Sequence, residues 1–296
     1  MAHPKSLFTP KELADAIGAS ESSVRRWVDN GQIPMSRTAG GHRRIPLANA
    51  IQFIRETGAM VVRPELLGLG ELSLSGGAAL DLPDERQFFE ALIAGERRVA
   101  RGLILSWYLG GKSLPALFDG PVAQAMHRVG ELWKHTERGI LVEHRATEIC
   151  VGAIAELRGF LPAVGKSAPL ALGGSPQNDP YVLPTMMAGT VLAESGFHDI
   201  NFGANTPVEL LMDEAIERRA RLVWLSISTP PESKALRAAI RDLATGLAER
   251  KIDVLIGGRC LTECVPRGLP NLTQVGSMSE LSAFARGVLS VRSHGG

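Results

Sequence analysis

The sequence predicts a chain of several domains, with a winged helix-turn-helix first, a four-helix bundle next and a doubly wound α/β domain last. Residues 1–57 hold two short helices with N-cap residues, followed by a turn that basic residues flank. Across 83–165, apolar residues recur at steps of three and four, as they do in packed helices. Across 167–296, short apolar runs alternate with helical segments, which predicts a parallel sheet. The Gly-rich residues 58–82 are predicted to be a linker.

Composition predicts a cytoplasmic protein with ordinary apolar cores and no membrane partner. Apolar residues make up 45% of the chain and charged residues 21%, as in globular domains. No apolar run reaches the roughly 18 residues that a spanning helix needs, and the first residues lack the apolar stretch of a signal peptide. Cys150, Cys260 and Cys264 have the spacing of neither a disulfide framework nor a zinc site.

The amino-terminal domain begins with two helices whose starts are written in the sequence. Thr9, Pro10 and Glu12 have the spacing of a capping box with proline at the first helical position, and the helix is expected to end at Gly18. Ser20 is expected to cap a second helix after a tight turn. Two short helices joined in this way form a helix-turn-helix, whose second helix enters the major groove of DNA.

The segment after the second helix predicts a two-stranded wing that turns at residues 39–41. Between Ser22 and Pro46 there are five arginines and one aspartate, so the formal charge is 5 − 1 = +4. A local excess of this kind suits a phosphate backbone better than an ordinary solvated face. His42 by itself fits a packing role in the wing as well as a contact to a base. The candidate DNA-binding residues are Ser22, Ser23, Arg25, Arg26, Arg37, His42, Arg43 and Arg44.

The stretch SVRRWVDNGQIPMSRTAGGHRRI resembles the DNA-binding domains of the MerR family in its helix, its Ile-Pro turn and its Arg-rich wing. The resemblance implies that the partner is a double-stranded DNA operator and that the protein is associated with the nucleoid. One such head reads a short site, so specific binding is expected to need at least two heads. The sequence therefore predicts a homo-oligomer, either a dimer or a tetramer.

The carboxy-terminal half predicts a flavodoxin-like, Rossmann-like parallel sheet. In such sheets, ligands bind in the crevice beyond the carboxyl ends of the strands. The candidate ligand loops are therefore Ser175–Pro184, Gly203–Pro207 with Asn205, Ser226–Pro231 and Gly257–Cys260.

The bundle carries Trp133 and, after nine residues, the pair Glu143-His144. An indole seals an apolar face, a carboxylate accepts hydrogen bonds from hydroxyls, and imidazole is a good ligand for cobalt. This spacing and the order of domains resemble the CarH-type adenosylcobalamin photoreceptor repressors, which also begin with a MerR domain. The resemblance implies that Trp133 covers the upper face of the corrin, Glu143 contacts the adenosyl ribose, and His144 ligates cobalt after light has removed the adenosyl group. On spacing alone, a core tryptophan beside a surface Glu-His pair explains the pattern equally well.

The α/β half keeps the spacing of the cobalamin-domain signature Asp-x-His-x-x-Gly, then Ser-x-Leu, then Gly-Gly. Asp179, Ser226 and the pair Gly257-Gly258 match, with 41 residues between Pro184 and Ser226 and 28 between Ser228 and Gly257. The resemblance implies that the glycine pair lets the nucleotide tail of the cofactor thread close to the backbone.

Three positions of that signature have changed chemistry. Tyr181 replaces the histidine, Pro184 replaces the loop glycine, and Ser228 replaces the leucine. In the family, the loop histidine replaces the cofactor's own base as the lower cobalt ligand and the aspartate orients it. A neutral phenol is a poor donor to cobalt, and prolines stiffen a loop and remove backbone donors. The pattern therefore predicts a pocket of cobalamin type without histidine ligation.

Four ligand states remain open. The domain binds adenosylcobalamin or another cobalamin without a protein lower ligand, or it binds one with Tyr181 as an unusual ligand. Alternatively, it binds another tetrapyrrole such as a bilin or haem, or it binds nothing and only assembles subunits.

The leading hypothesis for the whole chain is a transcriptional regulator, not an enzyme, whose tetrapyrrole ligand or light response sets its oligomeric state. Linked heads bind DNA more tightly than single ones, so assembly would control DNA affinity. A corrinoid-dependent methyltransferase or mutase subunit is a second hypothesis, which the DNA-binding head and the missing loop histidine disfavour. A ligand-independent repressor with a vestigial pocket is the third.

Overall fold

The computed structural model describes residues 7–75, 84–133, 139–229, 234–260 and 265–290. These residues fall into two compact units, divided after Ser113, Asp119 and Pro162. The first unit holds the head and most of the bundle, and the second holds the α/β domain together with residues 114–119. None of the described helices is both long and apolar enough to cross a membrane.

The head is a winged helix-turn-helix, as predicted. A three-stranded antiparallel sheet has the order β1-β3-β2, and Ser36 of β2 pairs with Arg44 of β3 to form the wing. Strand β1 and helix α3 were not predicted, because a two-residue strand has no periodicity to detect and α3 begins after Pro46 without a side-chain cap. The elements are β1 (Leu7–Phe8), α1 (Pro10–Ile17), α2 (Glu21–Asp29), β2 (Ser36–Arg37), β3 (Arg43–Pro46) and α3 (Leu47–Thr57).

The predicted helix caps of the head are present. Thr9 Oγ1 accepts a hydrogen bond from the Glu12 amide at 3.2 Å, and the Glu12 carboxylate accepts one from the Thr9 amide at 2.8 Å. Gly18 ends α1 with a φ of 67°, and Ser20 Oγ accepts a hydrogen bond from the Ser23 amide at 3.1 Å. These bonds position α2 as the exposed second helix of the motif.

The bundle contains helices α4 (Glu85–Ala94), α5 (Arg97–Leu109), α6 (Leu114–Leu117), α7 (Ala123–Trp133) and α8 (Gly139–Arg158). The sequence predicts helical periodicity throughout 83–165, but the structure interrupts the helix at Gly120, whose φ of −90° and ψ of −109° are not helical. Pro121 lacks the amide that would continue the helix. The short helix α6 therefore belongs to the second unit, while α4, α5, α7 and α8 form the four-helix bundle of the first.

Part of the predicted linker is folded against the bundle. Residues Pro64–Leu67 and Gly70–Ser75 form two short 3₁₀ helices, and Leu67 and Leu69 are fully buried. At Gly102 of α5, a Cβ atom would lie 2.4 Å from the Glu71 carbonyl oxygen, so the backbones touch there. Residues 76–82 of the predicted linker lie outside the described residues.

The α/β domain has five parallel strands in the order β5-β4-β6-β7-β8. This is the flavodoxin-like order, which confirms the predicted sheet. All strands end at the same edge, where the candidate loops lie. The elements are β4 (Leu170–Gly174), α9 (Val182–Glu194), β5 (His198–Asn201), α10 (Val208–Glu217), β6 (Leu222–Ser226), α11 (Lys234–Ala248), β7 (Asp253–Gly257), β8 (Leu272–Gln274) and α12 (Met278–Ser290).

Candidate nucleic-acid interface and ligand site

The exposed side of α2 carries the hydroxyls and guanidiniums predicted for DNA contact. The Ser22 and Ser23 hydroxyls each lie 2.9 Å from Ser20 Oγ, at the amino end of the helix. Arg25 forms an ion pair with Glu21 one turn earlier, with Nη2 and Oε1 2.6 Å apart. Both partners are well exposed, so this pair adds little stability and a phosphate can compete for Arg25.

Arg26 and the wing arginines differ in the hydrogen bonds and ion pairs that they make with other residues. Arg26 is exposed, and its guanidinium makes no hydrogen bond or ion pair with any described residue. Arg43 is half-buried and donates from Nη2 to Asp29 Oδ1 at 2.7 Å, which joins the wing to α2. Arg44 donates to the Arg43 carbonyl at 3.1 Å. Arg26 is therefore the cation of α2 most available to a phosphate, whereas Arg43 also holds the wing in place.

The tip of the wing carries two further predicted residues. The Thr38 amide donates to the His42 carbonyl at 3.0 Å, and the His42 amide donates to Thr38 Oγ1 at 3.2 Å, which closes the turn. The side chains of Arg37 and His42 are exposed. The structure thus brings the predicted DNA-binding residues onto α2 and the neighbouring wing.

The bundle residues predicted to bind a ligand lie at the end of α7 and in the first turns of α8. Glu143 is 21% exposed and accepts a hydrogen bond from Thr147 Oγ1 at 3.1 Å. His144 is 70% exposed, and its Nε2 lies 3.7 Å from Glu143 Oε2. The His144 ring is therefore free to meet a ligand. Trp133 is the last residue of α7, and its side chain lies outside the described residues.

Asp179 is the centre of the loop network at the carboxyl edge of the sheet. Its side chain is 2% exposed. Oδ2 accepts hydrogen bonds from the Ser228 amide at 2.5 Å and the Thr229 amide at 3.0 Å, and Oδ1 accepts one from the Tyr181 amide at 3.1 Å. The Asp179 carboxylate therefore joins the loop after β4 to the loop after β6.

Tyr181 lies at the first turn of α9 and is 37% exposed. Its backbone carbonyl accepts a hydrogen bond from Ser175 Oγ at 2.9 Å, and the Arg259 guanidinium lies 5.4 Å from the centre of its ring. Asp179 binds the amide of Tyr181, so in this chain the carboxylate orients backbone at position 181.

The remaining predicted ligand residues surround this network. Ser226 and Ser228 are buried, at 5% and 4% exposure. Asn205 has a φ of 55°, is exposed, and donates its amide to the Asp179 carbonyl at 3.1 Å. The hydroxyl of Thr229 is buried and has no hydrogen-bond partner among the described residues. Sequence reasoning missed this unpaired hydroxyl because burial of a loop hydroxyl leaves no sequence pattern.

The glycine pair after β7 packs against the chain itself. Gly258 has a φ of 119°, and a Cβ atom there would lie 2.2 Å from the Ile227 carbonyl oxygen. A Cβ atom at Gly257 would lie 3.3 Å from Val275 Cγ2. Protein atoms thus lie where a side chain at either position would point, so the packing of the chain itself disfavours a side chain at both glycines.

No group of three or more histidine, cysteine, aspartate and glutamate side chains in the described ranges is arranged to hold a metal ion. His144 therefore stands apart from any cluster of that kind. Its suitability for cobalt rests on a single exposed imidazole.

Comparison with protein families gives two matches. Residues 7–57 match the family described as a helix-turn-helix domain, and residues 84–158 match the family described as a B12 binding domain. The second match covers α4 to α8, which include Glu143 and His144.

Comparison with solved structures gives matches to corrinoid and cobalamin-binding proteins. The monomethylamine corrinoid protein of Methanosarcina barkeri is 18% identical, with a TM-score of 0.51, over 68% of this chain and 96% of that chain. A cobalamin-binding protein of Desulfitobacterium hafniense DCB-2 is 19% identical, with a TM-score of 0.37, over 69% of this chain and 98% of that chain. At 18% identity, the likeness to the first shows the fold alone. The chain thus joins a segment that matches a helix-turn-helix domain to a segment that matches a B12 binding domain.

Proposed function

We propose that this protein is a transcriptional regulator of MerR type whose DNA binding is controlled by a cobalamin-type corrinoid. The proposal is carried by one observation: the helix-turn-helix domain and the B12-binding bundle pack together in a single unit. A corrinoid bound by the bundle therefore acts on a body that includes the DNA-binding helix. A regulator needs this physical connection between ligand and head.

Arg55 of α3 forms a direct link between head and bundle. Its guanidinium lies 3.7 Å from the centre of the Tyr108 ring, and it donates hydrogen bonds to the carbonyls of Tyr108 and Lys112, the latter at 3.3 Å. These carbonyls lie at the carboxyl end of α5, where a cation also interacts favourably with the helix dipole. A displacement of α5 would therefore act directly on α3 through the contacts of Arg55.

The folded segment 62–75 forms a second link. Val62 and Arg63 donate their amides to the Ala16 carbonyl of α1, at 2.9 and 3.0 Å. Glu71 lies between Arg98 and Arg101 of α5, with nitrogen-to-oxygen distances of 3.7 and 3.5 Å. The described part of the segment between the two domains thus contacts both of them, as a mechanical connection requires.

Control through oligomeric state is the mechanism we favour. A single head offers few phosphate contacts, and the affinity of linked heads exceeds that of one head by a large factor. A corrinoid that changes the dimer or tetramer equilibrium would then change DNA affinity without altering α2. If the bound corrinoid is adenosylcobalamin, its light-sensitive cobalt–carbon bond makes light the natural signal.

The test is the absorption spectrum of the full chain after incubation with adenosylcobalamin in the dark and gel filtration. The proposal predicts that a corrin spectrum elutes with the protein and that the elution volume differs from that of the ligand-free chain. A colourless protein of unchanged elution volume would refute it. A bilin or Soret band in protein purified from its own host would reassign the ligand to another tetrapyrrole.

A corrinoid methyltransferase subunit is the main alternative. The structural neighbours are corrinoid proteins, but the helix-turn-helix domain points to a regulator. Methyl transfer from a methylated corrinoid bound to the full chain would favour the enzyme. A vestigial pocket would be favoured instead if adenosylcobalamin left DNA binding by the wild-type chain unchanged and if His144→Ala also left DNA binding unchanged.

A further inference from the structure

The side chain of Trp224 fills the space between the centre of the sheet and helix α9. Trp224 lies in β6 and is 1% exposed. A Cβ atom at Gly173, its neighbour in β4, would lie 2.4 Å from Cδ2 of the indole, and one at Gly189 of α9 would lie 3.4 Å from Cζ2. The two glycines thus make room for a ring that belongs to the protein, and a side chain on either would crowd it.

Hydrogen bonds hold the indole in this position. Trp224 Nε1 donates to Thr185 Oγ1 at 3.0 Å, and Thr185 Oγ1 donates to Asn201 Oδ1 at 3.0 Å. Asn201 Oδ1 also accepts the amide of Gly203 at 3.0 Å. Rotation of the indole away from α9 would leave its buried N–H without an acceptor, which disfavours any other orientation of the ring. The indole ring therefore has a fixed position between the sheet and α9.

The position of Trp224 relative to the candidate site follows from strand geometry. Side chains alternate along a strand, so Trp224 and Ser226 lie on the same face of β6, about 6.6 Å apart along it. Ser226 ends the strand at the ligand edge, and Trp224 is the next residue inward on the side of α9. Any ligand arm that passed Ser226 and ran between the sheet and α9 would meet the indole.

The other features of the site agree with a closed wall. The space beside Gly257 and Gly258 is occupied by Val275 and by the Ile227 backbone. Asp179 uses its carboxylate on three backbone amides. Protein atoms therefore fill the space between the sheet and α9 that an arm entering the domain at this edge would need.

We propose that the α/β domain accepts a corrin ring whose nucleotide tail stays outside the domain, and that Trp224 is the residue that excludes the tail. The matching ligand is a cobalamin that keeps its own base on cobalt, or a corrinoid without a tail. This inference rests on the proposed function, because it assumes that a corrinoid binds.

The test compares adenosylcobalamin with adenosylcobinamide, which has the same ring and upper ligand but lacks the nucleotide, on the full chain in the dark. We expect dissociation constants within about threefold of each other, because the tail contributes no buried contact. The spectrum of bound adenosylcobalamin should be that of the form with its base on cobalt. The Trp224→Ala variant should raise the affinity for cobalamin relative to cobinamide, because it opens the space beside Gly173 and Gly189.

Two variants control for loss of packing. Trp224→Phe keeps a ring in the wall and should keep the wild-type affinity ratio. Trp107→Phe changes another fully buried tryptophan, in α5, and should leave the ratio unchanged. Since each comparison is a ratio of two ligands on one protein, a general loss of folded protein cancels. If Trp224→Ala does not fold, the wild-type ratio and spectrum decide the question alone.

The outcomes separate this inference from the proposed function. Wild-type protein that binds cobalamin at least tenfold more tightly than cobinamide, in the base-off form, would overturn the inference and leave the proposed function standing. Wild-type protein that binds neither corrinoid would overturn the proposed function, and this inference with it. Similar affinities with a base-on spectrum would support both.

Discussion

Replacement of Asp179 by asparagine should loosen the carboxyl edge of the sheet even when no ligand is present. The carboxylate accepts three backbone hydrogen bonds in a site that is 2% exposed. Asparagine offers one oxygen, so it can keep the bonds to Ser228 and Thr229 only as weaker neutral bonds. Its side-chain NH₂ group then faces the backbone N–H of Tyr181, and these two donors cannot form a hydrogen bond with each other.

The magnitude follows from these three bonds. A hydrogen bond to a charged group contributes about 1.5–3 kcal/mol and a neutral one about 0.5–1.5 kcal/mol, so the two retained bonds lose about 1 kcal/mol each. The unpaired Tyr181 amide adds a further 1–3 kcal/mol or so. Asp179→Asn should therefore lower the free energy of unfolding of the α/β unit by about 3–5 kcal/mol.

The assay is hydrogen exchange of peptides that span 175–181 and 226–229, combined with urea unfolding of the ligand-free chain. Exchange of the Ser228, Thr229 and Tyr181 amides should accelerate in Asp179→Asn. Asp213→Asn makes the same chemical change at an exposed position of α10 and should alter neither readout. If both variants behave like wild type, Asp179 does not hold the loops together, and a role in ligand binding alone becomes the better explanation.

Three further outcomes are expected. Arg55→Ala should destabilise the first unit by about 2 kcal/mol in urea unfolding, because it removes charge-assisted bonds to two carbonyls and the contact with the Tyr108 ring. The control is Arg86→Ala, which removes an exposed ion pair. If Arg55→Ala destabilises the protein no more than this control, the link between head and bundle is contradicted. Arg26→Ala should weaken DNA binding on all sequences and lower the slope of log affinity against log salt by about 1 per head. The control Arg241→Ala, in the α/β domain, should leave the slope unchanged. If Arg26→Ala and wild type have equal slopes, Arg26 is not part of the interface. Burial raises the pKa of the Cys150 thiol from 9.0 to about 12. The thiol therefore ionises at lower pH in the unfolded chain than in the folded one, and the free energy of unfolding falls between about pH 9 and 12. In that range the free energy of unfolding should fall less steeply with pH in Cys150→Ala than in wild type, and equal slopes would contradict the shift.

The sequence predicted those parts of the fold whose causes are local. Thr9, Glu12 and Ser20 act on amides within three residues, so the helix-turn-helix could be recognised from spacing alone. The strands of the α/β domain were predicted because each is a short apolar run, and in the described residues a helix follows β4, β5, β6 and β8. Helix α3 has no side-chain cap after Pro46, so it escaped the same reasoning.

The parts that could not be predicted depend on contacts between distant residues. The segment 64–75 is Gly-rich and lacks periodicity, yet it is ordered because Gly102, in a different helix, lets the backbone at Glu71 approach. Trp224 looks like an ordinary core residue of a strand. Only the structure brings it between Gly173 and Gly189 and gives it a place in the candidate site.

Asp179 and the glycine pair show the same limit in the site itself. The spacing of the signature is kept, and the resemblance implied that the aspartate orients a cobalt ligand and that the glycines admit a tail. In this chain the aspartate binds backbone amides, and Ile227 and Val275 fill the space beside the glycines. Spacing alone did not reveal which protein atoms Asp179 and the glycines contact.

The central claim is that a corrinoid bound to this chain controls its DNA-binding head. It is tested most directly by the affinity of the full chain for a duplex selected from a random pool, measured by fluorescence anisotropy in the dark with and without saturating adenosylcobalamin. The account predicts at least a tenfold difference, which corresponds to a coupling free energy of about 1.4 kcal/mol, together with a change in oligomeric state. An unchanged DNA affinity when the corrinoid is demonstrably bound would contradict it.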